Sequence, residues 1–143
     1  MKLEDLFPNL AADGYLITSP ESNAYNCIAW AAGDANDWWW PDSRRLRYWP
    51  DDVPRNESLE AFVEMFARLG YSVCPSAQSE VGYEKAAIYC LNGLPQHAAR
   101  QISSGLWTSK LGNAVDIQYS LHGLEDSLYG AATVFLRRPL ETD

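Results

Sequence analysis

The sequence predicts a single α+β domain over residues 1–143, with helices first and an antiparallel meander after them. Three observations predict it. Leu59, Phe62, Val63, Phe66 and Leu69 recur at helical spacing, and Gly70 closes that run. From Tyr83 onward the chain breaks into short apolar segments separated by the turn signals Asn92-Gly93 and Ser103-Ser104-Gly105. Hydrophobic residues make up 47% and charged residues 21%, a composition that can bury one core.

Taken in order, residues 2–7 read as a short helix with Leu3, Leu6 and Phe7 on one face, and Gly14 to Ile17 as a short extended piece. A helix starts near Asn26 and runs to Gly33, a residue suited to the left-handed C-cap. The stretch Trp38-Trp39-Trp40-Pro41, Tyr48-Trp49-Pro50 and Val53-Pro54 carries three prolines in close succession and reads as a long aromatic loop. Asn56 is the expected N-cap of the helix that Gly70 ends. Tyr71 to Cys74 is a short strand, and Tyr83 to Leu91 is a central one because its apolar run is nearly continuous. His97 to Ile102 and Leu106 to Leu111 form a hairpin, Leu121 to Ser127 a helical turn, and Gly130 to Arg137 the last strand.

Charge and cysteine usage exclude several functions. With 19 Asp and Glu against 11 Lys and Arg, the net charge of −8 repels phosphate backbones, so nucleic acid is not an expected partner. No apolar run reaches the length of a membrane span, and the start Met-Lys-Leu-Glu-Asp lacks a signal peptide. Cys27, Cys74 and Cys90 are odd in number and not at metal-ligand spacing, so neither a disulfide framework, nor a metal, nor a cofactor is expected. A cytoplasmic location follows as an expectation, with non-classical export compatible with the same sequence.

Chemistry is suggested by Cys27. It stands at the start of a helix, where the dipole and the unpaired N–H groups favour a thiolate. His97, placed at the start of a strand, is the better of two histidines as a base, since His122 lies in a polar helix start. Counting back through the turn at Gly105 returns Ser109 alongside His97 as the group that orients the imidazole, with Asp116 as the chemically stronger alternative. Trp40, Trp107 and Lys110 are candidates for substrate contact. Strand alternation puts Arg100 on the face opposite His97.

The segments Tyr25-Asn26-Cys27-Ile28-Ala29-Trp30-Ala31, Trp39-Trp40-Pro41, His97-Ala98-Ala99-Arg100-Gln101 and Trp107-Thr108-Ser109-Lys110-Leu111-Gly112 resemble a bacterial domain family without an assigned activity. The order of parts is similar to the papain-like superfamily, in particular the NlpC-type cysteine amidohydrolases. That resemblance implies a papain-like fold, with a helix starting at the cysteine and packed with other N-terminal helices on the meander. It also implies Cys27 as nucleophile, His97 as base, and an oxyanion hole completed by Tyr25 or Asn26. Ser109 departs from the NlpC pattern, which carries a histidine or an amide at the third position.

Two functions follow as expectations. One is a cysteine hydrolase or acyltransferase acting on an amide or peptide-type bond. The other is a non-catalytic interaction module of the immunity or inhibitor type, for which a protein partner replaces the peptide-like or small amide substrate.

Overall fold

The structure, a computed structural model, describes residues 3–140. Its frame is one seven-stranded antiparallel sheet in the order β1-β6-β5-β4-β3-β7-β2. The strands are β1 (Tyr15–Ser19), β2 (Ser72–Cys74), β3 (Tyr83–Leu91), β4 (Leu94–Gln101), β5 (Trp107–Lys110), β6 (Asp116–Tyr119) and β7 (Ala131–Pro139). The helices are short: α1 (Leu3–Leu6), α2 (Pro8–Asp13), α3 (Cys27–Ala32), α4 (Leu59–Arg68) and a 3₁₀ turn at Leu121–Leu124.

This overturns the expected papain-like, NlpC-type α+β arrangement. The sheet dominates, the longest of these helices has ten residues, and helices lie on both faces rather than in one layer. The strands also do not form a simple meander. β3 to β6 follow one another, but β7 returns to the far side of β3, and the edges β1 and β2 come from segments that precede β3 in the chain. The reason lies in β3, whose Lys85 to Cys90 are all buried, so that it needs a neighbour on each side.

Alternation along β3 divides the core in two. Ala86, Ile88 and Cys90 join Ala98 and Leu136 under α3, α4 and the aromatic loop. Ala87 and Tyr89 join Ala99, Trp107, Ile117 and Tyr119 under Phe7 and Leu10. The alanine pairs 86–87 and 98–99 stand side by side in the register, Ala86 beside Arg100, Ala87 beside Ala99 and Ile88 beside Ala98. Their small side chains let helices approach the sheet closely.

Local signals explain most boundaries. Asn26 caps α3 by accepting from the Ala29 N–H, and Gly33 ends the helix in the left-handed conformation. Asn92-Gly93, with φ of 55° and 81°, makes the two-residue turn joining β3 to β4. Ser58, not Asn56, caps α4, because Asn56 Oδ1 is spent on the Ser58 N–H and leaves the Ser58 hydroxyl to accept from Ala61.

Other boundaries move. The expected helix over 2–7 is α1 and is followed by α2, which Pro8 starts; Lys2 lies outside the described residues. His97 does not open its strand: β4 begins at Leu94, and Pro95 is accommodated by an irregularity that pairs Cys90 with Pro95 and Tyr89 with His97. The strand β6 has no counterpart in the sequence reading. Its four residues are too few to show a period, and pairing with β1 and β5 creates it.

Candidate active site at the thiol end of the sheet

β4 and β5 pair only at Arg100–Thr108 and Gln101–Trp107, so the two strands separate towards His97 and Lys110. The first turn of α3 lies over that opening. Cys27 is 6% exposed, and the backbone N–H groups of Ala98, Ile28 and Cys27 act on its thiol electrostatically. These donors and the Lys110 ammonium favour a thiolate, but burial outweighs them and pushes the thiol up to about 11. The helix start alone would have lowered it. The resting group is therefore the neutral thiol.

Cys27 lines a cavity of about 330 Å³ together with Asn26, Trp38, Trp40, Gln96, Gly112 and Tyr129. The Tyr129 ring stacks on the His97 imidazole at 4.0 Å and 6°. His97 is fully buried, and burial alone holds its pKa down at about 3. Its Nε2 lies 2.9 Å from Ser109 Oγ, whereas its Nδ1 is buried without a hydrogen-bond partner. Ser109 Oγ in turn lies 2.9 Å from the Tyr119 hydroxyl.

The other candidates take different places. Asp116 is on the opposite face of the sheet from Ser109: its Oδ2 accepts a 2.6 Å hydrogen bond from the Tyr25 hydroxyl, and its register partner is Lys110. It does not orient His97, because the pairing of β6 with β5 turns its side chain away. Tyr25 is thereby committed to Asp116 and is pushed up to about 12, by burial first and then by that hydrogen bond. Lys110 is buried, donating to the Ser22 and Gly112 carbonyls at 2.6 Å each; burial lowers its pKa, and Asp116 opposes that shift. Trp107 is 3% exposed inside the core. Neither Lys110 nor Trp107 presents a surface to a substrate, and Trp40 alone of the three expected contacts lines the cavity.

Arg100 lies on the α3 side, its guanidinium 4.5 Å from the Trp30 ring. His122 is exposed beside Glu125. Cys74 and Cys90 are free and buried elsewhere. Among the described residues no cluster of His, Cys, Asp and Glu could hold a metal ion, and no helix is long and apolar enough to cross a membrane.

Asn26 serves the site as its fastening. Its Oδ1 accepts from the N–H of both Ala29 and Trp39, and its Nδ2 donates to the Trp39 carbonyl at 2.7 Å. The carboxamide thus joins the start of α3 to the aromatic loop instead of offering itself to an oxyanion. Asn26→Ala removes a helix cap and strands two buried backbone groups, an expected cost of about 2–3 kcal/mol in chemical denaturation. A loss below about 0.5 kcal/mol would show that the loop is held by other contacts.

Sequence reasoning missed Tyr129, Gln96 and Tyr89, whereas Tyr119 stands out, through the family resemblance, as the position where relatives often carry a histidine. Tyr129 carries a faint signal, an aromatic residue before Gly130 in a polar turn. Gln96 and Tyr89 sit on the β3–β4 hairpin with nothing in their local sequence to set them apart from structural residues.

A buried thiol at a helix start and a buried imidazole stacked on a tyrosine of the thiol's cavity lie at the end of the sheet where β4 and β5 separate. The chain belongs to the family described as a domain of unknown function (DUF7689), whose model matches residues 16–137. Comparison with curated proteins and with solved structures returns no match, so the papain-like resemblance gains no support.

Proposed function

We propose that the chain is a cysteine hydrolase or acyltransferase acting on an amide-type or related acyl bond. The observation that carries this reading is the bare Nδ1 of a buried His97 whose ring is stacked on Tyr129, the residue that shares a cavity wall with Cys27. Cys27 attacks the acyl carbon and its proton goes to His97 Nδ1, to which the thiol is not hydrogen-bonded at rest, while the carbonyl electron pair moves onto oxygen. Collapse of that adduct expels the leaving group, which takes the proton from the imidazolium. The resulting thioester is resolved by water or by an acceptor amine. In this reading the Cys27 and Ile28 N–H groups, which favour the thiolate, steady the charge on the adduct.

The reacting pair starts neutral. Thiol and imidazole both keep their neutral forms from about pH 3 to about pH 11, so base-assisted acylation is expected to be flat across the neutral range. The test is acylation by p-nitrophenyl acetate, located by peptide mass spectrometry. Acyl label is expected on Cys27 and not on Cys74 or Cys90, with His97→Ala slowing it by about 10²–10⁴-fold. Equal labelling of the three cysteines, or labelling insensitive to His97, would sink the reading. It would leave the interaction module as the alternative to pursue by partner capture.

A further inference from the structure

The side chains behind His97 form a one-way chain of hydroxyls. The Tyr89 hydroxyl donates to the Leu121 carbonyl at 2.7 Å, and a carbonyl can only accept. With its hydrogen spent there, the Tyr89 oxygen can only accept from the neighbouring Tyr119 hydroxyl, with which it interacts electrostatically. Tyr119 must then accept from Ser109 across 2.9 Å, and Ser109 must accept from His97 Nε2 across 2.9 Å. His97, Tyr89, Tyr119 and Ser109 are each no more than 1% exposed.

We propose that Tyr119 and Tyr89 are positioning residues that fix the His97 tautomer, placing its hydrogen on Nε2 and leaving Nδ1 bare. The opposite tautomer would bury an Nδ1–H without an acceptor, since Nδ1 has no partner in the structure. It would also make Ser109 donate to Nε2, leaving the 2.9 Å Ser109–Tyr119 contact without a hydrogen as long as Tyr119 donates towards Tyr89. The Tyr129 ring, parallel to the imidazole, keeps it from tilting out of line with Ser109. Use of the bare Nδ1 as a base rests on the function proposed above; the assignment of the tautomer does not.

The experiment is a long-range ¹⁵N–¹H correlation spectrum of histidine-labelled protein at pH 7, with His122→Gln used to assign the two rings. His97 is expected to show a protonated Nε2 and a bare Nδ1. Tyr119→Phe keeps the ring and removes the acceptor for Ser109; each tautomer then leaves one hydrogen unpaired, so a measurable fraction of protonated Nδ1 is expected beside the parent tautomer. Tyr89→Phe is expected to do the same by letting Tyr119 reverse its donation, and it serves as the second variant if the first does not fold. A protonated Nδ1 in the parent, or an unchanged tautomer in both variants, overturns the proposal. Acylation of Cys27 is read alongside, on protein shown to be folded, and is expected to fall in proportion to the fraction of His97 protonated at Nδ1. If the tautomer shifts as expected while no protein is acylated, the hydrolase reading fails and the tautomer assignment stands.

Discussion

Lowering the pH from 7 to 4 is expected to destabilise this protein chiefly through one imidazole. His97 is fully buried and holds its pKa at about 3, against 6.5 for the unperturbed side chain. Between those values the unfolded chain binds a proton that the folded chain refuses, so stability falls as the pH falls. The contribution is complete above pH 6.5 and shrinks by about 1.4 kcal/mol for each unit below it. Carried down to pH 3 it reaches on the order of 4 kcal/mol, a large share of the ~5–15 kcal/mol that holds a domain together.

Carboxylates add to the loss lower down: Glu80, held low by its hydrogen bond to Lys85, begins to protonate only below the usual carboxylate range. The window between pH 6.5 and 5 therefore isolates the histidine. Urea titrations there should show a slope in the parent and in a His122→Gln control, and little slope in His97→Gln, which cannot acquire the charge. Equal slopes in the parent and His97→Gln would mean that the folded protein accommodates an imidazolium at this position.

The second large effect is expected at Gly130. Its φ is +76°, and a Cβ built there would lie 1.9 Å from the Cys90 carbonyl oxygen and 3.0 Å from Leu91 Cα. Both are backbone atoms of β3, so no side chain can swing aside. Gly130→Ala must either break the pairing of β7 with β3 or move the turn that carries Tyr129. An expected cost above about 3 kcal/mol combines the left-handed strain with that displacement. Gly93→Ala is the control, since Gly93 also has a positive φ of 81° but nothing within 4 Å of the added carbon. Conformational strain alone should cost it about 1 kcal/mol. Comparable losses in the two variants would show that β7 can shift to make room, and an unaltered near-ultraviolet aromatic signal in Gly130→Ala would place Tyr129 where it was.

What could be read ahead of the structure was written in short-range code. α3 is legible because Asn26 and Gly33 bracket it, and β3 because its apolar run stops at Asn92-Gly93. The nearness of His97 and Ser109 follows from counting residues through a hairpin, and the two side chains lie 2.9 Å apart. The choice between Ser109 and Asp116 could not be read in that way. It depends on β6, whose pairing puts Asp116 on the side of Tyr25 and away from the imidazole. The fold class failed for a similar reason. Nothing local announces that β1 and β2 form the two edges of the sheet, or that β7 crosses to the far side of β3.

The thiol marks the same division. By itself the sequence determined that a cysteine begins a capped helix, that a histidine lies in a strand, and that a serine twelve residues on returns beside it. These are matters of caps, turns and periods, which act over a few residues. Only the tertiary structure decided their electrostatic state. Burying Cys27 and His97 costs each its charged form by more than the helix N–H groups return, so the pair rests neutral where the helix start alone implied a thiolate. Desolvation is a property of everything packed around a group, and in this protein that means α3, Tyr129 and the separating ends of β4 and β5, which come together only when the chain has folded.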